Sequence, residues 1–350
     1  MSTAPASLLV TADDSTGATE AAAACADAGF DVDVMPFGVS SPEVATARSC
    51  VVVDLRSRHL TADEACRRML ATTAVAHRMH KIDSTLRGNW AAEIATVVEG
   101  GRRVVLIPSH PLAGRVCEGG VVYVDGVPVA ESELGDDPRL PVRSSRPRET
   151  LDGVELCGIA ALTQWLERST AGVAILDAKT LAEIEQLVSA SLGAADVLLA
   201  GPASVVGAVA RISSPGHSAV ALPEPLLPRP IVVVCASLHP VSRTQIAKVA
   251  EAGVAVVTSP VVRGADSEVV AADVAERAHR LVAEVGARSV ILIGGDTAEA
   301  FIGDNVVRVF GSVDVGVSLG EARIRGTSLR VASKPGGFGT ANTLVDLVNR

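Results

Sequence analysis

The sequence predicts an α/β protein of two domains, each with a largely parallel sheet flanked by helices, with a ligand cleft between them. Three observations carry this expectation. Apolar runs of strand length alternate with segments of helical period, the pattern of parallel strands covered by crossover helices. The chain has 350 residues, more than one ordinary domain of roughly 100–200 residues. Four prolines in the eight residues 223–230 interrupt the alternation, which then restarts. Proline lacks an N–H and fixes φ, so this run suits neither a helix nor a central strand. It is the expected linker, giving domains at 1–228 and 229–350.

Residues 8–10 read as the first strand and residues 18–28 as an Ala-rich helix, ended by Gly29 in the left-handed region. Residues 31–35 and 50–53 read as further strands. Thr61-Ala62-Asp63-Glu64 has capping-box spacing and opens a helix expected to reach about Met79. Asp125-Gly126 between two Val-rich runs is a two-residue hairpin turn. Residues 131–150, charged and dotted with proline, are expected to be a surface excursion. A strand at 173–176 leads to a second capping box, Thr180 to Glu183. Past the linker, strands are expected at 231–235, 254–257 and 290–293, with helices over 242–252 and 269–285.

Composition excludes whole classes of partner. With 31 Lys+Arg against 40 Asp+Glu the net charge is −9, unsuited to a polyanion-binding surface, and 5 Phe, 2 Trp and 1 Tyr leave few platforms for stacking bases. Nucleic acid is therefore not an expected partner, whereas a small charged metabolite in a local basic site remains allowed. Mean hydropathy is +0.35, yet no apolar run reaches the roughly 18 residues of a membrane span. No membrane partner is expected. Residues 1–7 carry no basic region of a signal peptide. The six cysteines lie far apart with no C-x-x-C pair, which fits reduced thiols in a cytoplasmic enzyme.

Ligands of open α/β sheets bind beyond the carboxyl ends of strands, and four polar clusters stand there. Asp13 and Asp14, in Thr11-Ala12-Asp13-Asp14-Ser15-Thr16-Gly17, put two adjacent carboxylates after the first strand. One of them could merely cap the helix; two are more than a cap needs. A phosphatase with a nucleophilic Asp would also begin this way, but with D-x-D spacing. In the second cluster, Lys81-Ile82-Asp83-Ser84-Thr85-Leu86-Arg87-Gly88-Asn89, Lys81 and Arg87 suit a carboxylate or phosphate and Asp83 suits a hydroxyl proton. Arg56 and Arg58 form the third, as carboxylate grips or surface ion pairs. The fourth comprises two glycine loops before helices, Gly294-Gly295-Asp296-Thr297 and Lys334-Pro335-Gly336-Gly337, where backbone N–H groups can meet phosphate. Neither is a Walker A or G-x-G-x-x-G motif. His77 and His80, three apart on the expected helix, lack companions for a zinc site. Ser237 and His239 close the strand at 231–235.

These motifs together resemble the four-carbon acid sugar kinases over nearly the whole chain. Residues 12–18 are similar to that family's A-D-D-x-T-G-A, and residues 81–89 to its K-x-D-S-T-L-R-G-N. Ser57-Arg58, residues 111–115 and the two glycine loops resemble further family segments; Ala236-Ser237 stands where Gly-Ser is usual. The resemblance implies a kinase that uses ATP with Mg²⁺ to phosphorylate the 4-hydroxyl of D-threonate, D-erythronate or 3-oxo-tetronate. It implies substrate contacts at Asp13, Asp14, Arg58, Lys81, Ile82, Asp83 and Ser84, beside Arg87, with catalysis by Asp83 or Asp13. Nucleotide contacts fall on Ser237, Gly294, Gly295, Asp296, Thr297, Lys334, Gly336 and Gly337, and no metal ligand is assigned. Closure of the domains about the proline linker is expected to exclude water. A homodimer is compatible with the sequence. A non-catalytic sensor of sugar acid and nucleotide, and a haloacid-type phosphatase, are the alternatives.

Overall fold

Strand β1 (Leu8–Ala12) is buried at every position, as its apolar run requires of a strand covered on both faces. The structure, a computed structural model, describes residues 8–39, 49–72, 78–137, 139–168, 170–214, 219, 221–260 and 267–350. The chain continues through α1 (Ser15–Asp27), β2 (Asp31–Pro36), β3 (Ser49–Asp54), α2 (Ala62–Ala71), β4 (Arg78–Lys81), α3 (Trp90–Glu99) and β5 (Arg103–Leu106). A small antiparallel sheet follows, of β6 (Arg115–Glu118), β7 (Val121–Val124) and β8 (Val127–Pro128). Then come β9 (Val154–Cys157), α4 (Ile159–Leu166), β10 (Gly172–Leu176), α5 (Leu181–Ser191), β11 (Val197–Gly201) and α6 (Ala203–Ser213). After the proline run lie β12 (Ile231–Cys235), α7 (Pro240–Glu251), β13 (Ala255–Thr258), α8 (Ser267–Val285), β14 (Ser289–Ile293) and α9 (Gly295–Ile302). The chain ends in β15 (Val307–Asp314), β16 (Val317–Ile324), β17 (Thr327–Lys334) and α10 (Thr343–Val348).

The expected α/β class is observed, with one addition. Among the described residues, 14 strands form a single sheet in the order β13-β12-β14-β17-β16-β15-β2-β3-β1-β4-β11-β5-β10-β9. The run from β2 to β9 is parallel, and so is the run from β13 to β17. Between them β17, β16 and β15 form an antiparallel meander, and β15 pairs with β2, Val307 opposite Val34 and Val309 opposite Val32. The sequence reading did not include this meander. Its strands alternate buried and exposed residues only in part, and Gly311 and Gly320 break the pattern.

Strand order reverses beside β1 in the first half and between β12 and β14 in the second, the two places where the topology opens a crevice. Helix α1 packs against α6, β15 and α9, and is buried on nearly every side. Its Ala-rich sequence follows from that enclosure, because interiors at crystal-like density leave no room for longer side chains. Gly29 has φ +88° after its end, and Thr180 and Glu183 form the expected reciprocal capping box.

Two expectations are corrected. The helix begun at Thr61 stops at Ala71, and residues expected in its last turns belong to β4, a central strand. Its polar His80 and Lys81 disguise it, because both are buried against polar partners and not against apolar ones. His80 is therefore not on a helix; His77 lies outside the described residues. The excursion after the hairpin is anchored as well as exposed, for Val129, Val142 and Leu151 are buried in one cluster with Trp90 and Ile94 of α3. Among the described residues Cys25, Cys50, Cys66, Cys117 and Cys235 are free thiols, and no helix is long and apolar enough to cross a membrane.

Candidate active site

The first half gathers its charged residues at the carboxyl ends of β3, β1 and β4. Asp14 caps α1, its Oδ1 accepting the Gly17 N–H at 3.0 Å and its Oδ2 the Thr16 hydroxyl at 2.7 Å. Asp13 is 1% exposed and takes Arg58 in a bidentate grip, Nε at 2.7 Å and Nη2 at 2.9 Å. The same Nη2 reaches Asp14 at 2.7 Å. Burial raises Asp13, opposed by the Arg58 charge and reinforced by that of Asp14. Asp14 is also pushed up by burial, but Arg58 and Lys81 prevail and lower it. The pair thus divides into a buried anchor for Arg58 and an ionised carboxylate at the cleft.

The 81–89 segment wraps around Arg58. Asp83 accepts from Arg87 Nε at 2.9 Å and Nη2 at 3.1 Å and from the Thr85 hydroxyl, and lies 3.7 Å from Arg58. Against the upward push of burial, Arg87 and Arg58 hold Asp83 well below the usual carboxylate range. Gly88 has φ +83°, and a Cβ there would stand 3.0 Å from Arg58 Cγ. Asn89 donates to the carbonyls of Ser57 and Leu60 at 2.7 and 2.9 Å, fixing the turn that carries Arg58. Ile82, expected to touch substrate, has its side chain fully in the core and its N–H on the Gly201 carbonyl, 3.2 Å away. Ser84 is half-buried. Lys81 is 4% exposed, and its charge acts on Asp13, Asp14, Glu20 and Asp83. Its ammonium fills the space above Gly17, between Asp14 and Asp83. The carboxylates around it offset the cost of burying this charge.

One residue of this region, His110, is not among the expected site residues. His110, just past β5, shares one ring nitrogen with the Ser204 hydroxyl and places the other 3.2 Å from Glu20 of α1. The rule that located the other clusters applies to His110 too, since it also follows a strand end. Arg115 has a buried Nε without a partner. Beneath the site, Thr11, His80, Glu93 and Ser57 form a fully buried chain, with Thr11 Oγ1 2.9 Å from His80 Nδ1 and His80 Nε2 3.1 Å from Glu93.

In the second half the glycine loops meet beyond β12, β14 and β17. Gly294 has φ +96°, open to glycine at little cost, and donates to the Lys334 carbonyl at 2.9 Å. Thr297 accepts the Ala236 N–H at 2.9 Å. A Cβ on Gly336 would lie 3.0 Å from Ser237 Oγ, and one on Gly337 3.1 Å from His239 Nε2, so Ser237 and the glycines line one recess. Lys334 is fully buried and donates to the carbonyls of Pro335 and Phe338, both at 2.7 Å. Burial lowers it to about 8. Its ammonium points back at its own loop, so Lys334 shapes the loop from within.

The two halves touch at this place. A Cβ on Gly295 would fall 2.7 Å from Asp14 Oδ2. Asp296 lies 2.8 Å from Arg139 of the excursion and 3.5 Å from His59. Arg115 covers the Phe338 ring at 4.9 Å. Arg56, at φ +49°, does not face the acid cluster; it reaches the Gly303 carbonyl and Asp304 at the end of α9, where a cation suits the helix dipole. Among the described residues no three His, Cys, Asp or Glu side chains converge as a metal cage.

The Sugar-binding N-terminal domain family matches residues 8–209. The chain is 28% identical to a D-threonate kinase of Bordetella bronchiseptica over 96% of its own length and 95% of that protein's. It is 26% identical to a D-erythronate kinase of Heliobacterium modesticaldum, over 70% of this chain and 60% of that one, and 31% identical to a 3-oxo-tetronate kinase of Methylobacterium radiotolerans, over 52% and 43%. A solved structure from Salmonella typhimurium LT2 has the same fold, with TM-score 0.75 at 20% identity over 98% of this chain and 99% of that one. A domain of unknown function from Bordetella bronchiseptica, solved as a domain-swapped dimer with citrate, gives TM-score 0.52 at 26% identity, covering 97% and 96%.

Proposed function

Because the sugar-binding N-terminal domain spans residues 8–209, the chain belongs to the four-carbon acid sugar kinase family, and we propose that it transfers the γ-phosphoryl of ATP to the 4-hydroxyl of a four-carbon sugar acid. In this reading the half up to residue 228 takes the acid and the half from 229 takes the nucleotide. The observation that carries it is the contact of Asp14 with Gly295, where the acid-side cluster abuts a glycine loop opening a helix. Phosphoryl transfer needs positioning and charge stabilisation more than covalent chemistry, and this seam offers both.

Lys81, a buried ammonium beside Asp14, binds the acid together with Arg87. Arg58, aimed by Asp13, keeps Asp14 ionised. Asp14 orients the attacking hydroxyl at the seam. Asp83, held as an anion by two guanidinium groups, is a weak proton acceptor and serves to place Arg87 and Arg58. This division differs from the expectation that Asp83 or Asp13 is the catalytic carboxylate. It also tells against a phosphatase, because Asp13, with both oxygens on Arg58, is a poor nucleophile.

The recess of Gly294, Gly295, Gly336 and Gly337 with Ser237 fits a polyphosphate: side chains at Gly336 and Gly337 would crowd Ser237 and His239, and one at Gly295 would meet Asp14. Backbone N–H groups at the start of α9 favour an anion. Mg²⁺ commonly keeps waters and phosphate oxygens beside one or two carboxylates; Asp296 and Asp14 are the carboxylates at hand, and the ion would neutralise phosphate charge. A homodimer is part of this reading, supported by the dimeric relative that binds citrate.

The test is ADP release by purified protein with Mg²⁺-ATP and D-threonate, D-erythronate or 3-oxo-tetronate. Acid-dependent turnover with at least one is expected, lost in Asp14→Asn. ATP binding with no turnover on any of the three would instead favour the non-catalytic sensor.

A further inference from the structure

Glu20 lies one turn beyond Gly17 on the same face of α1, the face over which the Lys81 ammonium and the Asp14 carboxylate lie, and it feels both charges. Its side chain is 14% exposed, while its partner His110 is 6% exposed. A carboxylate only accepts, so the His110 Nε2 beside Glu20 carries the proton, and Nδ1 can then accept from the Ser204 hydroxyl. Ser204 sits in the first turn of α6 beside β11, and His110 beyond β5. Three elements thus fix one carboxylate that the kinase reading leaves without a task. Burial pushes Glu20 up, but His110 and the nearby Lys81 ammonium outweigh it and lower the group, so it stands ionised at neutral pH.

The polar groups of the acid site therefore fall into two kinds. Lys81, Arg87 and the unpartnered Nε of Arg115 are donors and suit the acid's carboxylate. Asp14 and Glu20 are acceptors and require hydroxyls. With Asp14 at the seam taking the hydroxyl that reacts, Glu20 is placed for a hydroxyl further along the carbon chain. We propose that Glu20, positioned by His110 and Ser204, accepts a hydrogen bond from the C3 hydroxyl of the acid and so makes this site select the trihydroxy acids, threonate or erythronate, over the 3-oxo acid. A ketone at C3 offers only lone pairs to a carboxylate, and the unmet acceptor is repelled. A site built around a substrate hydroxyl rejects the analogue lacking it far more strongly than an apolar pocket does.

This inference rests on the acid-kinase reading, and the experiment separates the two. Steady-state ADP release and calorimetric acid binding are measured with D-threonate, D-erythronate and 3-oxo-tetronate for the wild type, Glu20→Gln and Ser204→Ala, with thermal melts as a folding control. The wild type is expected to prefer one of the trihydroxy acids over the 3-oxo acid by about 100-fold or more in kcat/KM. Glu20→Gln, whose amide can donate to a ketone, is expected to narrow that ratio at least about 10-fold, a change in selectivity that a general loss of stability cannot produce. Ser204→Ala, which loosens His110, shifts it in the same direction by less, chiefly through KM, and stands in if Glu20→Gln does not fold. A wild type that prefers the 3-oxo acid, or a ratio unmoved in both variants, overturns the inference while leaving the kinase reading intact. Failure of all three acids to bind or turn over overturns both.

Discussion

The Lys81 ammonium occupies the space that a side chain at Gly17 would fill, with Lys81 Cε 3.0 Å and Asp14 Oδ1 2.6 Å from that Cβ position. The third residue of α1 is thus glycine so that a charged group from the neighbouring strand can lie across the helix end. Gly17→Ala is expected to displace Lys81 and to lower kcat/KM for the acid about 100-fold, the scale of an ångström's misplacement. Asp14 stands between Gly17 and Gly295, so ATP affinity should fall too, but by less than the effect on the acid, which meets the displaced Lys81 directly. Equal losses for both ligands would mean that the substitution disturbs the fold and not the acid site.

Asp13 and Asp14 should separate cleanly by substitution. Asp14→Asn removes the carboxylate at the seam and is expected to lower kcat by about 100-fold or more with a smaller change in stability. Asp13→Asn leaves the buried Arg58 guanidinium without its bidentate partner, a type of loss that costs about 3–5 kcal/mol. Thermal melts with initial rates distinguish them; a catalytic defect without destabilisation in Asp13→Asn would reverse the roles.

Two carboxyls at the seam titrate high. Burial raises Asp54 to about 6, and burial with the Asp54 charge raises Glu299 to about 7, from ordinary values of 3.8 and 4.5. The folded state therefore holds these protons more tightly than the unfolded one. Their contribution is complete below about pH 4 and declines as pH rises through about 7. Glu299 is 42% exposed, so solvent tempers the effect. Glu299→Gln is expected to raise Tm at pH 8 relative to the wild type and to leave it nearly unchanged at pH 4.5. A shift of the same size at both values would show that its proton does not matter.

Lys334 gives a test of the nucleotide half. Lys334→Met keeps the length of the side chain but leaves the carbonyls of Pro335 and Phe338 without their donor, at about 1–3 kcal/mol for buried polar groups left unmet. The expected result is lower Tm and at least about 10-fold weaker ATP binding, about 1.4 kcal/mol per tenfold, with acid binding retained in calorimetry. Unchanged ATP affinity would remove Lys334 from control of the loop.

Most of the fold was legible where local chemistry and tertiary role agree. The strand at β12 begins and ends at its expected residues, and α5 carries its expected cap. The short motifs led to Asp14, Arg58, Lys81 and Asp83, which the structure brings together. Reading failed where a residue's environment is set from far away in sequence. His80 looks like a polar helical position because Thr11 and Glu93, which justify its burial, are 69 and 13 residues distant. Glu20 looks like an ordinary helix surface residue until His110, 90 residues on, closes against it. The meander of β15 to β17 was hidden because its strands keep the alternation only in part, with Gly311 and Gly320 interrupting it.

That pairing changes what can move. A proline linker between separate domains works as a hinge, and a ligand-driven clamp was the natural expectation. Here β15 and β2 weld the two sheets edge to edge, so rotating one half against the other has to bend a backbone hydrogen-bond ladder. In the proposed function the sheet acts as a beam that sets the spacing between phosphoryl donor and acceptor before either arrives. Side-chain contacts across the seam, Arg139 with Asp296 and Arg115 on the Phe338 ring, brace the same joint.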